Sequence, residues 1–115
     1  MPLLALHTSV ALSEQQRQDL LAPLSQILVE GIGKPERYVM VTIAAAAIRM
    51  AGAEGPAAHA EIRSIGGLNG ATNRKLSERL CALLQERLGI PPERVYLNFT
   101  SVSAENWGWN GSTFG

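Results

Sequence analysis

The sequence predicts an α+β fold in which a four-stranded mixed sheet carries two helices on one face. An internal repeat divides the 115 residues into halves of about 1–57 and 58–115. Each half has one stripe of leucines at helical period, placed between two short apolar runs typical of strands. Two strand–helix–strand units supply all six elements, four strands and two helices. Within each unit the two strands pair in parallel through a right-handed crossover.

The repeat is clearest where each predicted helix gives way to a strand. The triplet Pro-Glu-Arg begins at Pro35 and again at Pro92, an offset of 57 residues. The same offset relates Pro2 to His59, and each of these begins a strand-like run. We therefore expect strand, helix, turn and strand in each half, within a single domain covering 1–115.

The first half begins with a strand over about 2–8 that is apolar on both faces. A helix is expected to begin at Ser13 in a capping-box pattern. Its apolar stripe leads to Gly31 and Gly33, where we expect the helix to end. The second strand is predicted over about 38–46.

The second half repeats this order with a third strand over about 58–65, a helix between Gly70 and Gly89, and a fourth strand over about 95–102. Small or apolar residues alternate with charged ones along the third strand, so its two faces differ. Two helices cover only one face of the sheet, although the first two strands are apolar on both. We therefore expect an obligate oligomer that buries the second face between subunits.

Composition excludes several classes of protein. Ten basic and ten acidic residues cancel, and no basic run points to nucleic acid. No stretch approaches the roughly 20 apolar residues of a membrane span. Cys81 is the only cysteine, which excludes an internal disulfide and a cysteine metal cluster. With no recognisable signal peptide, we expect a cytoplasmic protein, or one secreted without a leader.

Pro2 is the first candidate for chemistry. Initiator methionine is commonly removed before a small residue, and the mature chain would then begin with a secondary amine. An apolar cavity disfavours the charged form of an amine, so this amine could accept a proton near neutral pH. Lys34 lies in a stiff turn after the first helix, and Tyr96 and Asn98 share one face of the fourth strand.

Other residues favour simpler interpretations. The glycine-rich run at 66–70 lacks the spacing and the lysine of a phosphate-binding loop. His7 and His59 lack metal-ligand spacing, so packing explains them better. Cys81 is expected to be a buried free thiol. We therefore expect neither a nucleotide nor a metal.

The chain resembles the macrophage migration inhibitory factor and D-dopachrome tautomerase family from end to end. The matching segments are Met1-Pro2, Gly33-Lys34-Pro35, Ser64-Ile65-Gly66, Asn73-Arg74, Leu80-Cys81, Arg94–Asn98 and Gly108–Phe114. The resemblance implies a homotrimer with active sites at the subunit interfaces. Pro2, Lys34 and Ile65 match site positions on one subunit, and Tyr96 and Asn98 match those of its neighbour.

Three aromatic residues complete the implied site: Trp109 and Phe114 match an aromatic wall, and Tyr38 matches a position at the rim. The resemblance further implies keto–enol tautomerisation of an aromatic α-keto acid of the phenylpyruvate type, without a cofactor. In this interpretation the Lys34 ammonium pairs with the carboxylate of the substrate. Pro2 acts as the general base on the carbon beside the carbonyl.

Departures from the family pattern leave alternatives open. The Cys-x-x-Cys segment of the cytokine members reads Ala57-Ala58-His59-Ala60 here, so the associated thiol oxidoreductase activity should be absent. Arg63 and Trp107 also depart from the common residues and put the preferred substrate in doubt. One alternative is a cytokine-like protein that binds a cell-surface receptor, with vestigial catalysis. Another is hydration, dehalogenation or decarboxylation by the same amine.

Overall fold

The computed structural model describes residues 1–115. Its main elements, in chain order, are β1 (Leu3–Thr8), α1 (Glu14–Ile32), β2 (Met40–Ala45), β3 (Ala58–Ser64), α2 (Gly70–Leu88) and β4 (Val95–Ser101). The strands form one sheet in the order β2–β1–β3–β4. β1 pairs with β2 in parallel and β3 with β4 in parallel, while the central pair β1–β3 is antiparallel. The predicted mixed sheet of two strand–helix–strand repeats is confirmed.

Both helices pack on the same face of the sheet and enclose one hydrophobic core. Alternate residues of β1 and β3 point into it, so burial follows the period of two expected for a strand. The fully buried large side chains of the core are Leu4, Leu6, Leu20, Leu24, Leu28, Ile62, Leu76, Leu80, Leu84 and Ile90. Cys81 is a free thiol at the edge of this core and is half-buried rather than buried as predicted.

Capping explains where α1 begins and ends. The Ser13 hydroxyl accepts a hydrogen bond from the Gln16 amide at 3.1 Å, and the Gln16 side chain accepts one from the Ser13 amide at 2.9 Å. This is the predicted capping box. Gly33 ends the helix in the left-handed conformation, with φ of 79°.

Gly31 does not end α1, contrary to the prediction. It lies inside the helix, and a Cβ atom added there would lie 2.5 Å from Cδ2 of Leu76 on α2. The glycine therefore allows the two helices to approach closely. A close-packing glycine and a terminating glycine look alike in sequence when they lie two residues apart.

The two helices are related by an offset of 56 residues, one less than the offset of the Pro-Glu-Arg triplets. Each helix has 19 residues, and each ends at a left-handed glycine, Gly33 or Gly89. Asn69 is the counterpart of Ser13, and its side chain accepts a hydrogen bond from the Thr72 amide. The second half therefore has one extra residue between its helix and its triplet.

β2 begins two residues later than predicted because a short 3-10 turn precedes it. Pro35 starts this turn, which spans Glu36–Tyr38. Pro91 starts the corresponding turn Pro92–Arg94 before β4. Tyr38 therefore lies at the end of a turn and not in a strand.

The tail forms a small hairpin of β5 (Gly108–Trp109) and β6 (Ser112–Thr113). Asn110 and Gly111 connect the strands with φ of 53° and 77°. Two central residues with positive φ are typical of a type I′ turn, for which Asn-Gly is a preferred sequence. This pair was a signal in the sequence, but strands of two residues are too short to show alternation.

Arg94 fixes the loop between β2 and β3. Its guanidinium donates hydrogen bonds to the carbonyl oxygens of Met50 at 3.2 Å, Ala53 at 3.0 Å and Pro56 at 2.8 Å. Within the loop, Met50 and Ala53 also exchange two backbone hydrogen bonds. One side chain thus holds a segment rich in small residues in a defined path.

The face of the sheet opposite the helices is mixed rather than apolar throughout. Leu3 and Ala5 on β1 lie next to the polar row of β3, where His59, Glu61 and Arg63 point outward. At the edges of the sheet, 61% of Met40 and 67% of Tyr96 are exposed. Neither helix is long and apolar enough to cross a bilayer.

Candidate active site

A cavity of about 340 Å³ lies where the start of β1, the first 3-10 turn and the tail hairpin meet. This volume is within the range of small-molecule sites. The residues of its wall are Met1, Pro2, Leu3, Arg37, Tyr38, Val39, Met40, Trp107, Gly108, Trp109 and Phe114. The cavity therefore brings together the first residues of the chain and its last aromatic ones.

Three aromatic rings form one side of the cavity. Trp109 and Phe114 are stacked, with centroids 5.4 Å apart and planes 11° from parallel. Tyr38 meets both edge-on, at 5.9 Å from Trp109 and 6.0 Å from Phe114. The structure therefore places all three predicted aromatic residues at one cavity, where they present flat apolar surface.

The tail hairpin positions two of these rings. Phe114 continues the hairpin, because its amide donates to the Trp107 carbonyl at 3.2 Å. Trp107 itself lines the cavity at the position where the sequence departs from the family pattern. The cavity thus has a bulky third aromatic wall residue from the tail.

Pro2 lies in the cavity wall immediately before β1 and is fully buried. Its carbonyl accepts a hydrogen bond from the Met40 amide at 3.1 Å, which fixes it to the start of β2. Burial, and then the positive charge of Lys34, hold the pKa of the Met1 amine below its usual value. An amine in this position is therefore more easily neutral than one in water.

Lys34 is near the chain start but does not line the cavity. It directly follows Gly33, which ends α1, and its side chain is half-buried. It takes part in no ion pair or side-chain hydrogen bond within the subunit. Its charge is therefore available to an anion near the N-terminal amine.

The remaining predicted residues do not meet this cavity within one subunit. Ile65 is half-buried at the end of β3. Tyr96 and Asn98 lie on the open face of β4, two strands away from β1. With strands about 4.8 Å apart and about 3.3 Å per residue, they lie more than about 12 Å from Pro2. A single subunit cannot bring them to the Pro2 cavity.

Asn98 has a partner on the open face. Its side-chain oxygen lies 3.0 Å from Nε2 of His59, and the His59 ring stacks on that of His7 at 6.2 Å. Asn98 is exposed. No group of three or more histidine, cysteine, aspartate or glutamate side chains is arranged to hold a metal ion.

Arg37 lies in the cavity wall but is absent from the residues predicted from the sequence. Its guanidinium carbon lies 4.8 Å from the centre of the Tyr38 ring, a cation–π contact. No acidic side chain lines the cavity. The only signal in the sequence is its correspondence to Arg94 in the repeat, and that alone does not indicate a cavity.

Comparison with known proteins agrees with this fold. The family model described as macrophage migration inhibitory factor (MIF) matches residues 1–115. The factor from Meriones unguiculatus is 40% identical over 115 residues, 99% of each chain. The crystal structure of the homologue from Prochlorococcus marinus has 39% identity and a TM-score of 0.93, covering 98% of this chain and 99% of that one.

A second solved structure, the factor-like protein from Entamoeba histolytica, superposes as closely. Its TM-score is 0.94 at 34% identity, with 98% of both chains covered. The match of sequence and fold thus includes the N-terminal strand and the tail that together form the cavity. The chain belongs to the macrophage migration inhibitory factor family.

Proposed function

We propose that the protein is a keto–enol tautomerase of aromatic α-keto acids that uses the amine of Pro2 as its general base. The observation that carries the proposal is the position of Pro2 in the wall of an aromatic cavity. The proposal requires removal of Met1, because the nitrogen of Pro2 is otherwise part of a peptide bond and carries no proton-accepting lone pair.

The surroundings of the N-terminus support a neutral amine. Burial and the charge of Lys34 already lower the pKa of the Met1 amine at the outer end of the chain. The Pro2 nitrogen lies one residue deeper, next to Leu3, so both influences act on it as well. A lower pKa leaves a larger fraction of the amine unprotonated near neutral pH, and a general base requires the unprotonated form.

The cavity fits a flat aromatic substrate. The edges and faces of Tyr38, Trp109 and Phe114 offer contacts to an aryl ring. The unpaired ammonium of Lys34 would receive the carboxylate of an α-keto acid and hold it near the amine. Loss of Met1 removes one part of the wall and widens the cavity on this side.

The reaction then needs only proton transfers. The Pro2 amine takes a proton from the carbon beside the carbonyl, and the electron pair of that C–H bond forms the carbon–carbon double bond of the enol. The π electrons of the carbonyl move to its oxygen, which takes the proton from the Pro2 ammonium and frees the amine, and the reverse sequence regenerates the keto form. General base catalysis of this kind contributes about 10²–10⁴-fold, and positioning adds to it.

We further propose that the active form is a homotrimer. Tyr96 and Asn98 are too far from Pro2 to act within one subunit, but they are exposed at the β4 edge, where a neighbour can receive them. Apolar and aromatic side chains exposed at both sheet edges, Met40 and Tyr96, support an interface there. Sedimentation of the protein as a stable monomer would contradict this part of the proposal.

The test compares the wild-type protein with Pro2→Gly, using phenylpyruvate. Intact mass is measured first to show that Met1 has been removed from both. We expect Pro2→Gly to lower kcat/KM by about 10²-fold or more, as expected for loss of the base. Pro23→Ala, which changes a proline within α1 away from the cavity, should keep the wild-type rate. Equal rates for wild type and Pro2→Gly would refute the role of the amine.

A second candidate function is binding to a cell-surface receptor, as a cytokine. It is supported by the 40% identity, over 99% of both chains, to a protein named macrophage migration inhibitory factor. A pull-down with a receptor that retains that relative would test it. Failure of this protein to bind under the same conditions would exclude the function.

A further inference from the structure

The repeat gives two arginines the same position in the chain but different surroundings. Arg37 and Arg94 end the two Pro-Glu-Arg triplets, 57 residues apart. Arg94 donates three hydrogen bonds to loop carbonyls between 2.8 and 3.2 Å. Arg37 makes no hydrogen bond or ion pair within the subunit. Arg94 therefore has a structural role, and Arg37 has no corresponding one.

Arg37 is exposed at the cavity, with its guanidinium over the Tyr38 ring. The neighbouring carboxylate of Glu36 forms no ion pair with it and instead accepts a hydrogen bond from the Ser25 hydroxyl on α1 at 3.2 Å. The cavity wall contains no other charged side chain. A guanidinium that is held by stacking and lacks an acidic partner is well prepared to bind a carboxylate or a similar anion.

Arg37 and Lys34 differ in their position relative to the cavity. Lys34 lies close enough to the N-terminal amine for its charge to lower the pKa of that amine. Lys34 lies outside the cavity wall and Arg37 within it. An α-keto acid whose carboxylate meets Lys34 near Pro2 would therefore direct the far end of its ring along the aromatic wall, towards Arg37.

From this arrangement we infer that Arg37 is a specificity-determining residue that selects aromatic α-keto acids with a second anionic group at the far end of the ring. The inference rests on the proposed function for the orientation of the substrate. It adds a requirement of its own, since a site with Lys34 alone would not distinguish a ring with an anionic substituent from a plain one.

Binding can be measured apart from catalysis. The two tryptophans of the chain, Trp107 and Trp109, both line the cavity, so intrinsic fluorescence reports its occupancy directly. The probes are 3-phenylpropanoate and 3-(4-carboxyphenyl)propanoate, which lack the keto group and differ only in the ring carboxylate. Wild type, Arg37→Gln and Arg37→Lys are compared, with Arg87→Gln as the control for loss of one exposed positive charge.

We expect the wild type and Arg87→Gln to bind the dianion about fivefold more tightly than the monoanion, as for a partly exposed charge pair. In Arg37→Gln the ratio of the two dissociation constants should fall to about one. Arg37→Lys should keep a preference because the charge remains. High salt should reduce the preference of the wild type.

Three outcomes would overturn the inference: no preference for the dianion in the wild type, an unchanged preference in Arg37→Gln, or no quenching by either probe. The turnover of phenylpyruvate is measured on the same preparations. Turnover without a preference refutes the role of Arg37 and leaves the tautomerase proposal in place. A preference without turnover refutes the proposed activity and retains the anion site.

Discussion

Replacing Arg94 by alanine should destabilise the protein although the residue is far from the cavity. The change removes three hydrogen bonds, to the carbonyl oxygens of Met50, Ala53 and Pro56. Two of these bonds are exposed and one is partly buried, so water can replace the lost donor at most of the carbonyls. Each bond therefore contributes at the lower end of the usual range, about 0.5–1 kcal/mol.

The expected loss is about 2 kcal/mol in the free energy of unfolding. Arg37→Ala offers a matched comparison, because it removes the same side chain from the corresponding turn but breaks no hydrogen bond. Its cost should stay below about 1 kcal/mol, because the change removes only an exposed cation–π contact with Tyr38. Arg94→Lys should recover only part of the loss, since one ammonium cannot reach three carbonyls arranged around a planar guanidinium.

Urea unfolding monitored by circular dichroism would measure these differences. All variants are compared at one protomer concentration, since the stability of an oligomer depends on it. Amide hydrogen exchange should show lower protection at Met50 and Ala53 in Arg94→Ala, because the loop loses its anchor. Equal stabilities for Arg94→Ala and Arg37→Ala would refute the role assigned to the three hydrogen bonds.

Three further predictions concern the core, the loop and the free thiol. Leu80→Ala should cost about 3 kcal/mol, because this side chain is fully buried; exposed Lys75→Ala is the control, and a urea-measured loss below about 1 kcal/mol would contradict close packing there. Ala51→Gly should increase the free energy of unfolding by about 0.5 kcal/mol and so raise the thermal midpoint slightly, because Ala51 has φ of 54°, which glycine adopts without strain. A lower thermal midpoint would contradict this. Burial raises the pKa of the Cys81 thiol, so its alkylation by iodoacetamide should increase with pH around a midpoint above that of glutathione, and a midpoint at or below that of glutathione would disprove this.

Much of the fold could be predicted because its signals are local. The leucine stripes, the capping box at Ser13 and the glycines that end the helices act within one or two turns of chain. The alternation along β3 likewise follows from burial on one side only. Gly31 shows the limit of such signals, because its function depends on Leu76 in the other helix, and no pattern in the sequence reveals that contact.

The site was less predictable, since it depends on which distant segments meet. The aromatic residues Tyr38, Trp109 and Phe114 were identified through resemblance, and the structure places them at one cavity. Arg37 was missed because an exposed arginine in a turn is usually solvated. Only its position over the Tyr38 ring, without a partner, separates it from the other surface arginines.

The cavity lies where residues 1–3 and 107–114 come together, although these segments are at opposite ends of the sequence. A peptide fused to either end would therefore emerge beside the aromatic wall. At the N-terminus an affinity tag would convert the Pro2 nitrogen into an amide, and at the C-terminus it would crowd the hairpin that holds Trp109. Binding or turnover measured on a tagged protein would then reflect a cavity altered by the tag. Protein purified without an extension at either end avoids this effect.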